Sequence, residues 1–443
     1  MSRFLFTVWP FPGHLHPNLA IAHALKARGH EVSFYTGNKA ALRVEKEGFL
    51  CFPFKQVDEE GVYDILFSQR RVPSLWRNPF RMIAIYRAWL LDTVPAQVED
   101  LKRVKEKWQP DVVVSDPTIW GPILILYELW QIPVAISSFL PGCMIPGPDA
   151  PPWGLGLPRP RSFNKRVLAQ FVESVTDLLT SRSRRAVNTL RESYNLPPLS
   201  TSINAFTARI PLYLIPSVPE LDYHRHDLPP SVHYVGPCVW NKPHHEPPPE
   251  WLEQIPKDQP LVHVTEGTMH AQMPFVLRAA AQGLADLPLQ VIMTTGGNRD
   301  PKKLDLGRIA PNVRVERWIS HSDLLPLTDV MVSTGGGSTV LAGLSFGVPM
   351  VIVPTQWDKP DNAQRVVEAG AGLRLAPGRC TPKRLRAAVK RVLAEPSFRQ
   401  NAKRMAATFA KYKGTTKAAQ LLENLSAKGH SNKESPNYKS MIG

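Results

Sequence analysis

Short apolar runs alternate with helix-like segments in the first part of the chain, and this alternation constrains the fold more than any other feature. FLFTVW is followed by a helical pattern from about Asn18 to Ala27 with Gly29 as its stop, and then by HEVSFYTG, DVVVSD and PVAISSF. Strand, helix and strand in this order predict βαβ units and a parallel sheet.

The same alternation returns after residue 258. LVHVTEG, LQVIMTTGG, VRVERW, DVMVSTGGG and VPMVIVP are typical of buried strands, and helical patterns lie between them at FVLRAAAQGLAD and STVLAGLSFG. A chain of 443 residues is too long for one compact core, and two domains of roughly 200 residues each are the natural expectation. We therefore predict an α/β protein of two Rossmann-like parallel domains that face each other across a cleft, where open α/β sheets bind ligands.

The segment between the two halves is dense in proline, which neither continues a helix nor donates to a sheet ladder. We expect a first domain at residues 1–225, a linker at 226–258 and a second domain at 259–426 that includes the terminal helices. Within the first domain, 64–100 and 140–205 depart from the alternation and are interpreted as helical insertions. The polar residues 427–443 lack periodicity, which predicts disorder.

The composition, 43% hydrophobic and 21% charged, is typical of a soluble globular protein. No apolar run approaches the roughly 20 residues that cross a bilayer, and MSRFLFTVWPFPGH is interpreted as a first buried strand, not as a secretory signal. Four scattered cysteines without ligand spacing indicate buried thiols in a reducing cytoplasm.

The net charge of +15 favours anionic partners such as nucleotides or membrane surfaces. We find no nucleic-acid-binding module and expect no nucleic-acid partner.

The segment STGGGST follows an apolar strand and precedes a helix-like segment. A glycine-rich turn at this place lets backbone N–H groups and the positive end of a helix approach a phosphate, although a turn kept only for packing is the alternative. The loop is neither a Walker loop nor GxGxxG, and the second strand ends in Tyr35-Thr36-Gly37 without an acid for a ribose, which disfavours a nicotinamide enzyme. Since the chain has no DxD pair and no His/Cys/carboxylate cluster with ligand spacing, we expect chemistry without a metal or a resident cofactor.

The run from STGGGST to EAGAG resembles the donor-binding signature of family 1 glycosyltransferases of the GT-B fold, of the bacterial macrolide and natural-product type. GHLHP, HYVGP, HVTEGT and WIS occur in the family's order, so the resemblance covers nearly the whole chain. It implies an inverting, metal-independent hexosyltransferase that moves a sugar from an NDP-sugar, with UDP or TDP, to an acceptor hydroxyl.

The resemblance also implies roles for particular residues. The indole of Trp318 would stack on the nucleobase, His321 would help to hold the nucleoside, and Thr268 would hydrogen-bond the diphosphate. The other residues assigned to the donor site are Gly13 in the first turn, the loop residues Thr334, Gly335, Gly336, Gly337, Ser338 and Thr339, and the sugar contacts Asp358 and Lys359. Thr334, Ala342 and Lys359 stand where many relatives carry histidine, glutamate and glutamine, which leaves the nucleotide and the sugar open.

In the family, the histidine of the GHxxP-like turn is the general base, which implies this role for His14. An imidazole titrates near neutral pH, so its neutral form can accept a proton from a hydroxyl. Asp116, at the end of DVVVSD, matches the carboxylate that orients the ring. His16 is the alternative base, although the family pattern places it on the wrong side of the turn. A His14 that only satisfies the turn's backbone is the remaining alternative.

We expect acceptor specificity in the insertions of the first domain. Met82, Tyr86 and Trp89 lie at helical spacing, and the arginines around them are Arg70, Arg71, Arg77, Arg81 and Arg87. One interpretation is a pocket for a hydrophobic acceptor, aromatic or lipid-like, with a basic rim in peripheral contact with anionic lipid. The other is an amphipathic helix packed on the sheet with solvated arginines.

The leading hypothesis is a cytoplasmic glycosyltransferase with an NDP-sugar donor and a hydrophobic small-molecule acceptor. An NDP-sugar epimerase of the same fold and a catalytically silent helper protein are the alternatives. The sequence leaves monomer and homodimer open.

Overall fold

The structure, a computed structural model, describes residues 1–67, 79–138, 142–222, 225–240, 247–270, 273–297 and 299–434. Its strands form two parallel sheets. The first sheet contains β1 (Arg3–Thr7), β2 (Glu31–Thr36), β3 (Leu50–Pro53), β4 (Val112–Ser115), β5 (Val134–Ser137), β6 (Leu212–Ile215) and β7 (Val232–Tyr234). The second contains β8 (Leu261–Thr265), β9 (Gln290–Thr294), β10 (Val313–Glu316), β11 (Val330–Ser333), β12 (Met350–Ile352) and β13 (Gly372–Arg374).

Helices connect the strands and cover both faces of each sheet. Those of the first half are α1 (Pro12–Ala27), α2 (Asn38–Lys46), α3 (Glu59–Phe67), α4 (Pro79–Tyr86), α5 (Val94–Trp108), α6 (Tyr127–Trp130), α7 (Phe163–Glu192) and α8 (Ile203–Thr207). Those of the second half are α9 (Phe275–Gly283), α10 (His321–Leu324), α11 (Gly337–Ser345), α12 (Lys359–Glu368), α13 (Pro382–Ala394), α14 (Pro396–Phe409) and α15 (Gly414–Glu434). Two π-helical turns, Arg87–Leu91 and Pro122–Leu126, adjoin α4 and α6. The predicted α/β architecture of two Rossmann-like domains is confirmed.

The strand order determines where each domain can bind a ligand. The first sheet runs β3-β2-β1-β4-β5-β6-β7 and the second runs β10-β9-β8-β11-β12-β13. The order reverses between β1 and β4 and between β8 and β11, and ligands of such sheets bind at the carboxyl ends of the strands beside this reversal. The loops after β1, β4, β8 and β11 are therefore the ones that can form a site.

The strands are apolar on both sides because helices cover both faces of each sheet, as parallel sheets require. In β1, Phe4 and Phe6 pack with α1 and α15, whereas Leu5 packs on the opposite face with the helices of the insertions. Both sets of side chains are fully buried. The segments 64–100 and 140–205, interpreted as insertions, contain α4, the start of α5 and the long α7.

Three of the expected boundaries and assignments are corrected by the structure. The linker was expected at 226–258, but β7 (Val232–Tyr234) pairs with β6 as the last strand of the first sheet, so the connection begins after it. The terminal helix α15 was assigned to the second domain, but Ala418, Ala419 and Leu422 are buried in the core of the first. This helix also continues through residues 427–434, which were expected to be disordered, while 435–443 lie outside the described residues.

The described helices include none with the length and apolar character that crossing a membrane would require.

Candidate active site

His14 lies in the first turn of α1, directly after the carboxyl end of β1. The helix was expected from about Asn18, but it begins at Pro12, because the fixed φ of proline suits the first helical position. The histidine is therefore held by helical backbone and not by a flexible turn. Its side chain is buried, with 7% of the residue exposed.

The Asp116 side chain meets His14 from the neighbouring strand. Thr7 and Ser115 are paired at the ends of β1 and β4, and Asp116 N donates to Thr7 O. The loops that follow the two strands therefore begin side by side at the same edge of the sheet. Asp116 Oδ2 lies 2.7 Å from His14 Nδ1. Because a carboxylate oxygen accepts, Nδ1 carries the proton and Nε2 holds the lone pair of the neutral ring.

Thr118 fixes the other oxygen of this carboxylate. Asp116 Oδ1 accepts from Thr118 N at 2.8 Å and from Thr118 Oγ1 at 2.5 Å. Thr118 lies in the SDPT loop that the strand pattern places at the cleft, but no sequence motif indicated its contact with the carboxylate. The pair of His14 and Asp116 is thus held in a fixed orientation, with the carboxylate on Nδ1 and the lone pair of the neutral ring on the opposite nitrogen, Nε2.

His16, the alternative base, lies in a different environment. Its Nε2 is 3.0 Å from Arg43 Nη1, and its ring stacks on Trp240 with a centroid distance of 4.5 Å. Burial, together with the positive charge of the neighbouring Arg43, lowers the pKa of His16 to about 3. With an arginine partner in place of a carboxylate, His16 is not arranged as a base.

The glycine-rich loop after β11 forms the opposite wall of the gap. Gly335 has φ +84°, and a Cβ there would lie 2.7 Å from Ile352 Cγ2, so this turn requires glycine. Gly336 is the N-cap of α11, which begins at Gly337 and places Ser338 and Thr339 in its first turn. The loop therefore presents a helix N-terminus with two hydroxyl side chains, an arrangement that suits an anion.

The two helices that begin at the gap contact each other. Pro17 has no N–H to complete a helical hydrogen bond to the carbonyl of Gly13, four residues earlier. Ser338 Oγ of the second domain donates to this carbonyl instead, at 3.2 Å. Gly13, assigned to the donor site, is thus brought against the glycine-rich loop, and the positive ends of α1 and α11 meet.

The two threonines assigned to the donor site at the ends of β8 and β11, Thr268 and Thr334, occupy different positions. Thr334 is buried, and its Oγ1 donates to Glu266 O at 3.0 Å, so its hydroxyl faces the protein and not the gap. Thr268 follows Gly267 in the loop after β8, beside the strand reversal. The Thr334 hydroxyl is thus bonded within the protein, while Thr268 lies in a loop at the carboxyl end of the second sheet.

The two residues assigned to the nucleoside lie after β10. Trp318 is 51% exposed, so a face of its indole is accessible for stacking with a nucleobase. His321 begins α10, and its ring centroid is 6.0 Å from that of His263. Burial lowers the pKa of His321 to about 4, so the ring is neutral at physiological pH.

Asp358 and Lys359, assigned to the sugar, lie at the start of α12. Asp358 is buried and accepts from Asn362 Nδ2 at 2.7 Å. Burial raises the pKa of Asp358, while Lys359 and the more distant His14 lower it, so this carboxyl lies within electrostatic reach of the base. Lys359 Nζ donates to Met269 O at 2.6 Å and to Thr355 Oγ1 at 3.0 Å, so two of the three N–H groups of its ammonium tie two loops together. Burial lowers the pKa of Lys359 to about 8.

One of the three residues expected to contact the acceptor, Trp89, lies beside His14. The Trp89 ring centroid is 6.4 Å from that of His14, and the Tyr86 centroid is 4.7 Å from that of Trp357 in the second domain. Met82 lies in α4, but its side chain is outside the described part of the structure, as are Arg70, Arg71 and Arg77. Arg87 is exposed and pairs with Asp92.

Several residues that connect the two domains had no signal in the sequence. Arg365 Nε donates to Asp222 Oδ1 at 2.6 Å, and both side chains are buried. The Asp361 carboxylate accepts from Gly154 N at 2.6 Å and from Gly156 N at 2.8 Å, which ties α12 to the long insertion of the first domain. Each pair is distant in sequence, and only the docking of the domains brings its members together.

Across the described ranges, no group of three or more His, Cys, Asp or Glu side chains could hold a metal ion. The polar groups that the site offers to an anion are backbone N–H groups, hydroxyls and helix N-termini.

Comparisons with known proteins agree with this architecture. Residues 280–425 match the family model described as "Erythromycin biosynthesis protein CIII-like, C-terminal domain". The chain is 34% identical to 4'-demethylrebeccamycin synthase of Lentzea aerocolonigenes over 96% of this chain and 99% of that protein. It is 28% identical to demethyllactenocin mycarosyltransferase of Streptomyces fradiae over 96% of this chain and 87% of that protein. The chain therefore belongs to the glycosyltransferases of macrolide and natural-product type that adopt the GT-B fold.

Solved structures share the fold over nearly the whole chain. The glycotransferase of kitacinnamycin superposes with a TM-score of 0.71 at 23% identity, covering 96% of this chain and 99% of that one. Glycosyltransferase VinC in complex with DTDP superposes with a TM-score of 0.68 at 21% identity, covering 96% of this chain and 100% of that one. The GT-B fold that the sequence resemblance implied is thus confirmed.

Proposed function

We propose that this glycosyltransferase transfers a hexose from a UDP- or TDP-sugar, with inversion and without a metal, to a hydroxyl of a hydrophobic small molecule. The observation that carries the proposal is the 2.7 Å contact between His14 Nδ1 and Asp116 Oδ2, opposite the N-terminus of α11. This geometry pairs an oriented base on one domain with an anion-binding loop on the other.

In the proposed reaction, His14 Nε2 takes the proton of the acceptor hydroxyl as its oxygen attacks the anomeric carbon of the donor. The attack comes from the face opposite the diphosphate, whose bond to the sugar breaks as the new glycosidic bond forms. The proton remains on the imidazole, and the nucleoside diphosphate leaves with the bonding electron pair. Asp116 stabilises the imidazolium that results, as the carboxylate does in a hydrolase triad.

The charge of the leaving diphosphate would be stabilised by the glycine-rich loop. The N–H groups at Gly336 and Gly337, the hydroxyl of Thr339 and the positive end of α11 are neutral or dipolar donors that need no metal. Ser338 can join them when its hydroxyl leaves Gly13 O. VinC was solved with DTDP, which supports a TDP-type nucleotide for this chain as well.

The proposed location is the cytoplasm. Cys51, Cys238 and Cys380 are free thiols, and burial raises the pKa of each to about 12, which keeps them protonated and unreactive. Unpaired thiols of this kind are typical of a reducing compartment.

A panel of UDP- and TDP-sugars against a mixed library of hydrophobic aglycones, read by mass spectrometry, tests the proposal. We expect a hexosylated aglycone with one donor, and we expect UDP or TDP to raise the melting temperature, because a ligand that binds only the folded state stabilises it. Addition of EDTA should leave the rate unchanged.

Three other results would contradict the proposal in different ways. An isomerised NDP-sugar without a glycosylated product would identify an epimerase. No product and no thermal shift with any nucleoside diphosphate would favour the silent helper protein. A rate that EDTA abolishes and a divalent cation restores would overturn metal independence.

A further inference from the structure

A continuous chain of aromatic rings leads away from His14 into the gap between the domains. Ring centroids are separated by 6.4 Å from His14 to Trp89, by 5.4 Å from Trp89 to Trp357 and by 4.7 Å from Trp357 to Tyr86. Trp153 follows at 6.2 Å from Tyr86. Trp357 precedes α12 of the second domain, and the other three aromatic residues belong to the insertions of the first. Both domains therefore contribute to one aromatic surface that begins at the base.

The polar atoms of these rings are buried and lack partners. Tyr86 Oη and the Nε1 atoms of Trp89, Trp153 and Trp357 make no hydrogen bond within the described ranges of the chain. Folded proteins rarely leave buried donors unpaired, because the lost bonds to water are not replaced. Four such donors on one continuous surface indicate that a ligand supplies their acceptors.

Other buried indoles of the first domain provide the contrast. Trp9 Nε1 donates to Thr118 O at 2.9 Å, and Trp120 Nε1 donates to Pro117 O at 3.2 Å. Trp9 touches Trp89 with a centroid distance of 5.9 Å, so a paired and an unpaired indole lie side by side. The missing partners are therefore a property of the aromatic chain and not of buried tryptophan in this protein.

The backbone of Trp357 is a second, independent sign of function. This residue has φ +64°, a conformation that bulky side chains rarely adopt and that tends to occur at binding sites. Its indole makes edge contacts with Trp89 and Tyr86, at interplanar angles of 81° and 89°. The second domain thus holds a strained residue where its ring closes the aromatic surface of the first.

We propose that these four rings form the acceptor subsite and that the acceptor is a planar polycyclic aromatic molecule with hydrogen-bond-accepting oxygens on its edge. The proposal rests on the glycosyl transfer proposed above. A flat π-system can lie against aromatic side chains, and its carbonyl or ether oxygens can accept from the indole N–H and phenol O–H groups. An aliphatic chain has no flat face and carries no oxygens along its length to accept from these donors.

The rings touch one another in this structure, so the acceptor would enter where Trp357 separates from Trp89 and Tyr86. This boundary is also the boundary between the domains, and parting of the domains would open it. An acceptor held there would lie next to the His14 ring, which contacts Trp89.

The test compares two hydroxylated polycyclic molecules by calorimetric titration of the full-length protein. Alizarin is planar and aromatic and carries carbonyl oxygens, whereas androstanediol is similar in size but saturated. We expect alizarin to bind at least about tenfold more tightly, since androstanediol has no flat face and only its two hydroxyl oxygens to accept from the buried donors. Equal binding of the two, or no binding of alizarin, in a protein that TDP still stabilises would overturn the acceptor class alone. If no nucleoside diphosphate stabilises the protein, the proposed function itself fails.

Phenylalanine variants identify the contribution of the indole N–H groups. Trp89→Phe and Trp357→Phe keep an aromatic ring and remove an unpaired donor, so alizarin affinity should fall severalfold while the melting temperature stays the same or rises. The matched control, Trp9→Phe, removes an N–H that already has a partner, so it should lower the melting temperature and leave alizarin affinity unchanged. Unchanged alizarin affinity in both Trp89→Phe and Trp357→Phe would contradict the proposal.

Discussion

The carboxylate of Asp116 accepts hydrogen bonds from His14 Nδ1, Thr118 N and Thr118 Oγ1. These hydrogen bonds orient the carboxylate, and its burial excludes water that would compete for the same oxygens. A buried carboxylate held in this way fixes both the orientation and the tautomer of the imidazole. At the scale of single residues, the imidazole of His14 is therefore oriented by contacts that exist before a substrate binds.

Asp116→Asn tests whether the charge of the carboxylate on His14 Nδ1 matters for the reaction. The amide has nearly the same shape, but it cannot stabilise an imidazolium as a charge does, so we expect kcat to fall by about 10²- to 10⁴-fold. The dissociation constant for TDP should not change, because Asp116 lies on the other domain. Steady-state kinetics and calorimetry measure the two quantities, and a wild-type kcat in Asp116→Asn would show that the carboxylate has no role in the reaction.

Two buried imidazoles of the second domain make its stability depend on pH. Burial lowers the pKa of His263 to about 3 and that of His321 to about 4, from an ordinary value of 6.5. Below pH 6.5 the unfolded chain binds protons that the folded chain does not. The contribution of each histidine to the free energy of unfolding therefore falls as the pH drops, by up to about 1.4 kcal/mol per pH unit.

His263→Gln should remove the contribution of one histidine to this slope. As the pH falls from about 6.5 to 4, the free energy of unfolding should decrease less in the variant than in the wild type, because the variant lacks this histidine. Urea denaturation at a series of pH values measures it. A difference that stays constant with pH would contradict the assigned burial.

At the scale of elements, the terminal helix α15 joins the end of the chain to the first domain. Leu422 is fully buried against the first sheet, and Glu423 accepts from Arg28 at 2.6 Å and contacts His30 Nε2 at 2.8 Å. The hydrogen bond from Arg28 lowers the pKa of Glu423 to about 2. The ion pair therefore contributes stability above the ordinary carboxyl pKa of 4.5 and loses it as the pH falls towards 2.

Leu422→Ala should destabilise the protein by about 2–4 kcal/mol, because it leaves a cavity in a packed core. Asn424→Ala, at an exposed position of the same helix, should change the stability by less than about 0.5 kcal/mol. Chemical denaturation gives both values. Equal effects of the two variants would mean that α15 does not pack on the first domain.

The sequence predicted the elements that local residue patterns determine. It did not predict the boundaries that depend on contacts with other parts of the fold. The strands and the glycine-rich loop were predictable because apolar runs and turn residues determine them directly. The helix start at Pro12 was missed because Gly13 and Pro17 are typical of loops, whereas here Pro12 begins the helix and Pro17 lies inside it. The end of α15 was missed because its last residues are polar and carry no apolar periodicity.

At the scale of the whole molecule, buried polar contacts hold the domains in register. Arg365 pairs with Asp222, 143 residues away, and Asp361 binds the backbone of Gly154, 207 residues away. No sequence pattern identifies such partners, because they meet only after both domains have folded. Since these contacts involve α12, which begins beside Asp358, the docking of the domains also positions one wall of the site.

Arg365→Met should destabilise the protein by about 3–5 kcal/mol, because it leaves the Asp222 carboxylate buried without its cation. The double variant Asp222→Asn/Arg365→Met should recover part of this loss, because the amide oxygen can still accept from Gly142 N and Tyr234 Oη. Chemical denaturation of the three proteins measures the coupling. A single variant as stable as the wild type would show that the pair does not hold the domains together.

The central claim is that His14 accepts the proton of the acceptor while the second domain holds the donor nucleotide independently. Turnover of His14→Ala, measured together with its thermal shift by TDP, tests this most directly. We predict a rate lower by about 10²- to 10⁴-fold, the usual contribution of a general base, with the thermal shift retained. Sugar transfer by His14→Ala at the wild-type rate would contradict the account.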